Sequence, residues 1–162
     1  MLCFCDLSNE STWGGVLRDH AGTAIACAGG PLPKCGDATG AEARACLAGL
    51  RTFIPLIDRP VVLASDNLQV IQELNSNSFG RSILSQTIRD IREFGTMLPG
   101  LIFSKEPRLA NAVAHNLARL SRDGIEMGAF LGPVPESVRT VYEHDRLACI
   151  QINIKAFSLK KF

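Results

Sequence analysis

The sequence predicts an α/β domain in which one mixed sheet carries packed helices. Three observations predict it. Residues 2–28 hold three short apolar stretches broken by turn residues, the pattern of a strand meander. From residue 41 onward, stripes at helical spacing alternate with two further short apolar runs. One of those runs, Val61-Val62-Leu63-Ala64, is apolar at every position, as in a strand buried on both faces.

Taken in order, residues 2–7 read as a first strand, and Ser8-Asn9-Glu10-Ser11-Thr12 as a polar loop. Trp13 to Arg18 resumes as a second strand. Asp19-His20-Ala21-Gly22 has turn chemistry, and Thr23 to Ala28 follows as a third strand, so 13–28 reads as a hairpin. Residues 29–40 are too rich in Gly and Pro for long regular structure. Ala43, Cys46, Leu47, Leu50, Phe53, Ile54 and Ile57 then fall on one helical stripe over 41–57, with Pro55 in its last turn. The strand at 61–64 comes next, and Val70, Ile71 and Leu74 mark a helix after it. Ile83, Leu84, Ile88 and Ile91 mark another over about 81–94. Leu101-Ile102-Phe103-Ser104 is a fifth strand. A last firm helix, 109–121, buries Val113, Ala114, Leu117 and Leu120, with Asn111 and His115 off that stripe. Beyond Gly124 the pattern weakens. Ile150 to Lys155 alternates with period two and reads either as an edge strand or as a tail without a partner.

With 162 residues the chain suits one domain with a proper core. Its 46% hydrophobic and 20% charged residues are ordinary for a globular protein and argue against disorder. A formal charge of +1 gives no global basic field, so any nucleic-acid binding rests on local geometry and metal ions. The six cysteines show no zinc spacing and read as small core residues in a reducing compartment. Asp6 ends the apolar opening too early for a signal peptide, and no stretch is long enough to cross a bilayer. A soluble, intracellular protein is expected.

Carboxylates carry the functional reading. Asp66 sits where a buried strand turns into a helix, the edge at which ligands bind in α/β sheets. Its plain alternative is a helix cap supplied by Ser65-Asp66-Asn67. Asp6 on the first strand is placed to neighbour Asp66, and Glu42 in the first turn of its helix to face both. For Glu42 the plain alternative is the helix dipole, which favours a carboxylate there. Three converging carboxylates repel one another, and a divalent cation resolves the repulsion. Hard oxygen ligands select Mg²⁺ or Mn²⁺ over zinc. Two such ions about 3.5–4 Å apart activate water and stabilise the leaving oxygen in phosphodiester cleavage.

Four motifs in order give a family resemblance over residues 1–121: Gly14-Gly15-Val16-Leu17-Arg18-Asp19-His20-Ala21-Gly22; Ala41-Glu42-Ala43-Arg44-Ala45 with Ala48-Gly49-Leu50; Val62-Leu63-Ala64-Ser65-Asp66-Asn67 with Val70-Ile71-Gln72; and Arg108 through Ala118. The chain resembles the ribonuclease H type-1 domain in its reverse-transcriptase-like form, abundant in plant genomes and often retroelement-derived. Residues 122–146 form a C-terminal appendage, within which Pro133 to Asp145 resembles the short tail of plant members. Residues 147–162 match nothing and are expected as a separate tail.

The resemblance implies a ribonuclease H-like fold with a mixed five-stranded sheet and helices on both faces. It also implies two Mg²⁺ (or Mn²⁺) ions and endonucleolytic cleavage of the RNA strand of an RNA–DNA hybrid. No membrane partner is expected, and the sequence leaves the oligomeric state open, with a monomer as the default expectation. Such enzymes distinguish RNA by its 2′-hydroxyls. Asp6, Glu42 and Asp66 take the positions of the first three catalytic and metal-holding carboxylates, and His115 stands where the fourth is expected. His115 brings no negative charge and is a poor Mg²⁺ partner. The link from Asp6 to Gly14 is short for the family, no His lies near Lys105 to Arg108, and Ala38 and Thr39 replace the usual Asn residues. The alternatives are a catalytically inactive nucleic-acid-binding module and a decayed retroelement fragment on the same fold.

Overall fold

In the computed structural model the described residues are 11–76, 84–124, 127–132, 134–144 and 151–157. Strands β1 (Ser11–Arg18) and β2 (Ala24–Leu32) form an antiparallel hairpin. Asp19 makes the turn: its carboxylate accepts from the backbone N–H of Ala21 at 2.9 Å and of Thr23 at 2.8 Å. Those bonds favour the charged form, the one from Thr23 most, and hold the Asp19 pKa below its ordinary value. Gly22 follows at φ 80°, a conformation glycine adopts without strain.

Helix α1 (Ala38–Phe53) starts at Asp37, whose side chain accepts from Gly40 N–H at 2.6 Å. The expected continuation to residue 57 ends early, because Pro55 lies in a separate 3-10 turn, Ile54–Leu56. Strand β3 (Val61–Ser65) leads into α2 (Leu68–Asn75). Helix α3 (Ser85–Gly95) follows, the expected start at 81 lying outside the described residues. Its Arg92 guanidinium donates to the carbonyls of Glu73, Leu74 and Ser76, tying α3 to the end of α2. Then come β4 (Leu101–Lys105), a 3-10 turn (Arg108–Asn111) and α4 (Ala112–Arg122). Strand β5 (Met127–Leu131), α5 (Glu136–His144) and β6 (Gln151–Phe157) complete the described chain.

The sheet is mixed and six-stranded among the described residues, in the order β4-β3-β6-β1-β2-β5. Alternation along β1 sends Trp13 and Leu17 into the core beneath α1 and α3, and Val16 into a second core with α4 and α5. Helices therefore cover both faces, as expected, while the count of five strands is corrected to six. Close approach of α4 to β1 depends on Gly14. A methyl group there would meet the Leu117 carbonyl carbon at 2.8 Å, and the Ala118 nitrogen and Ala114 oxygen closer still.

The C-terminal portion departs most from expectation. Residues 127–131 of the appendage extend the sheet beside β2, and α5 packs on α4. Within the expected tail, β6 is an interior strand, antiparallel to β1, parallel to β3, and packed between α1 and α4. Period-two alternation shows how a strand divides its faces, but not which strands flank it, so edge and interior were indistinguishable. The strand expected over residues 2–7 lies outside the described residues. Among those described, the place beside β3 belongs to β6 and, on the other side, β4.

Candidate active site

Asp66 follows directly on β3, at its carboxyl end. The cap of α2 is Asn67, whose side chain accepts from Val70 N–H at 3.1 Å. Ser65 Oγ in turn accepts from Asn67 N–H at 3.2 Å. Capping is thus done by the neighbours, and the helix-cap reading of Asp66 falls. Its carboxylate instead faces the segment after β4. Parallel pairing of Ser65 with Lys105 brings the two strands out together, and Glu106 N–H donates to Ser65 O at 3.0 Å.

The 3-10 turn beyond delivers two partners. Arg108 Nε stands 3.6 Å from Asp66 Oδ2, and Asn111 Nδ2 donates to Oδ1 at 3.4 Å. The Asp66 side chain is only 4% exposed, whereas that of Arg108 is 69% exposed. Asn111, expected off the buried stripe, is buried at 2% exposure. Neither partner was among the candidate site residues. Their signal was the five-residue parallel register of β3 and β4, which places whatever follows Lys105 beside Asp66.

Glu42 is 1% exposed in α1. The helix begins at Ala38, so Glu42 lies in its second turn rather than its first, and the dipole explains it less well. The starts of α1 and α2 meet where Thr39 Oγ1 lies 3.5 Å from Gln69 Oε1, which puts Glu42 and Asp66 toward the same end of the sheet. His115 is half-buried on α4. Asp6 lies outside the described residues.

Hard carboxylate oxygens at a strand end are the donors that Mg²⁺ or Mn²⁺ takes. Among the described residues, however, no group of three or more His, Cys, Asp or Glu side chains is placed to hold a metal ion. Glu42, Asp66 and His115 do not form such a set, and donors from Arg108 and Asn111 already meet Asp66. Glu42 and Asp66 are the expected oxygen donors among the described residues, and Asp6 lies outside them.

Comparison with known proteins bears on this arrangement. A family model described as reverse transcriptase-like matches residues 3–121. The fold resembles the crystal structure of RNase H1 from the halophilic archaeon Halobacterium salinarum, at TM-score 0.66 and 22% identity, over 74% of this chain and 92% of that one. It also resembles the N-terminal RNase H domain of a Mycobacterium tuberculosis protein, solved as a fusion with maltose-binding protein. There the TM-score is 0.56 and the identity 17%, over 70% of this chain and 92% of that one. No curated protein matches the chain.

Proposed function

The chain belongs to the reverse transcriptase-like family, with a ribonuclease H-like fold, and from that premise we propose that it binds RNA–DNA hybrids and hydrolyses their RNA strand with divalent cations. The observation carrying this reading is Asp66, a carboxylate held nearly out of solvent at the end of β3 though it caps no helix. Glu42, buried toward the same end, supports it. The ions we expect are Mg²⁺ or Mn²⁺, because the side chains offer oxygen. What such ions supply is activation of a water and stabilisation of the leaving oxygen. Among the described residues, Glu42 and Asp66 are the oxygen donors this reading calls on.

Free cysteines at 27, 35 and 46 support a reducing compartment, and no helix among the described residues is long and apolar enough to cross a membrane. A retroelement-related origin, common among such sequences in plants, and a monomeric state belong to the same reading.

A labelled RNA–DNA hybrid, incubated with Mg²⁺, Mn²⁺ or chelator, tests the proposal. Metal-dependent cutting that disappears in Asp66→Asn supports it. A second reading, binding without cutting, is favoured by one observation, the pairing of Asp66 with Arg108. Retention of hybrid without cleavage at any metal concentration selects that reading.

A further inference from the structure

Asp66 and Arg108 differ in how far each can move. The Asp66 side chain is 4% exposed at the end of β3, with Asn111 Nδ2 donating to its Oδ1 at 3.4 Å. Asn111 is buried too, so that contact is fixed in place. The Arg108 side chain is 69% exposed, and its Nε stands 3.6 Å from Oδ2, outside hydrogen-bonding distance. A charge-assisted guanidinium–carboxylate bond closes at about 2.7–2.9 Å and is often a two-pronged fork. The contact here is an attraction across space, screened by water on the arginine side and weak.

The turn that carries Arg108 projects from the surface. Pro107 and Arg108 are exposed, Leu109 beside them is 87% exposed, and Lys105 at the end of β4 is exposed as well. A formal charge of +1 gives the whole molecule no field that draws a polyanion to this end of the sheet. A phosphodiester approaching Asp66 instead meets a carboxylate whose charge water screens poorly, because the side chain is buried. A mobile guanidinium at the mouth of the site offsets that repulsion. Its planar fork fits a phosphate closely, and an exposed ion pair costs little to leave.

We propose that Arg108 is a transferable cation, paired with Asp66 in the free protein and moved to a backbone phosphate when nucleic acid binds. Asn111 keeps the Asp66 carboxylate in place while its cation leaves. The proposal rests on the hybrid-binding part of the reading above and holds with or without cleavage.

Hybrid affinity provides the test, read by fluorescence anisotropy on the full-length protein in EDTA over a series of salt concentrations. The parent is compared with Arg108→Ala, Arg108→Lys, Asp66→Asn and the double variant Asp66→Asn with Arg108→Ala. Arg108→Ala should weaken binding about fivefold and reduce the slope of log affinity against log salt by about one. Arg108→Lys should keep the slope and lose part of the affinity, since the charge remains and the fork does not. Asp66→Asn should tighten binding, by removing both a repulsion and the free-state partner of Arg108. That gain should be about threefold larger with Arg108 present than in the Arg108→Ala background, because only there does binding break an ion pair. A gain no larger with Arg108 than without it means that the arginine stays on Asp66 in the complex, and overturns the transfer. An unchanged salt slope in Arg108→Ala overturns it as well. Thermal melting checks each variant, and the Arg108 slope, read on an exposed side chain, decides alone if Asp66→Asn does not fold. A parent that melts cooperatively yet retains no hybrid overturns the hybrid-binding reading and the transfer together, whereas failure of the slope or of the cycle leaves that reading standing.

Discussion

Arg108 Nε lies 3.6 Å from the Asp66 carboxylate, an exposed cation set over an almost fully buried anion. The pair is lopsided: solvent screens the arginine, while Asp66 is held by the sheet beneath it. Arg108→Ala should therefore lower stability by about 1 kcal/mol or less, read by thermal melting. It should also tighten Mn²⁺ binding measured by calorimetry, because a competing cation has been removed. Weaker or unchanged binding would show that Arg108 does not compete for Asp66.

Gly14→Ala tests the contact between β1 and α4. The added methyl meets backbone atoms of Ala114, Leu117 and Ala118, which cannot rotate away as a side-chain tip would. Overpacking of this kind costs about 1–3 kcal/mol or more. A melting temperature equal to that of the parent would mean α4 stands farther from β1.

Phe53 is fully buried in the core shared by α1, α3 and the sheet. Phe53→Ala removes most of that side chain and leaves a cavity, at a cost of about 3–5 kcal/mol. Chemical denaturation should show a lower midpoint with an unchanged slope. Asp37→Ala, by contrast, removes only the cap on α1 and should cost about 1 kcal/mol.

Cys27 gives a pH-dependent outcome. Burial pushes its thiol pKa up to about 12, from an ordinary value near 9. Between those two values the folded protein retains a proton that the unfolded chain releases. The contribution to stability is complete below about pH 9 and lost as pH rises toward 12. Native protein at pH 8 should leave Cys27 unalkylated by iodoacetamide, with labelling appearing on denaturation. Rapid native labelling at that residue would contradict the buried placement.

Much of the fold was legible along the chain. Helical stripes such as Val113, Ala114 and Leu117 repeat at the helix period because the core face repeats at it, and the structure buries all three. The apolar run at 61–64 became a strand in which Val61, Leu63 and Ala64 are buried and Val62 is partly so, close to the expected burial on both faces. At the site, the strand-end position of Asp66 could be read from its neighbours, as could its plain alternative as a cap. Which of the two applied could not, because choosing between Asp66 and Asn67 as the cap depends on side-chain direction.

Local periodicity and turn chemistry by themselves determined the α/β class, most of the elements and the placing of Asp66 where a strand meets a helix. Those signals act over a few residues, so they survive without knowledge of the rest of the chain. Tertiary structure alone decided that Arg108 and Asn111 meet Asp66, and that a strand from the C-terminal end occupies the middle of the sheet. Both outcomes depend on which segments become neighbours across hydrogen-bonded edges. Pairing of that kind is set by register and by competition between segments far apart in sequence, which alternation along one strand does not encode.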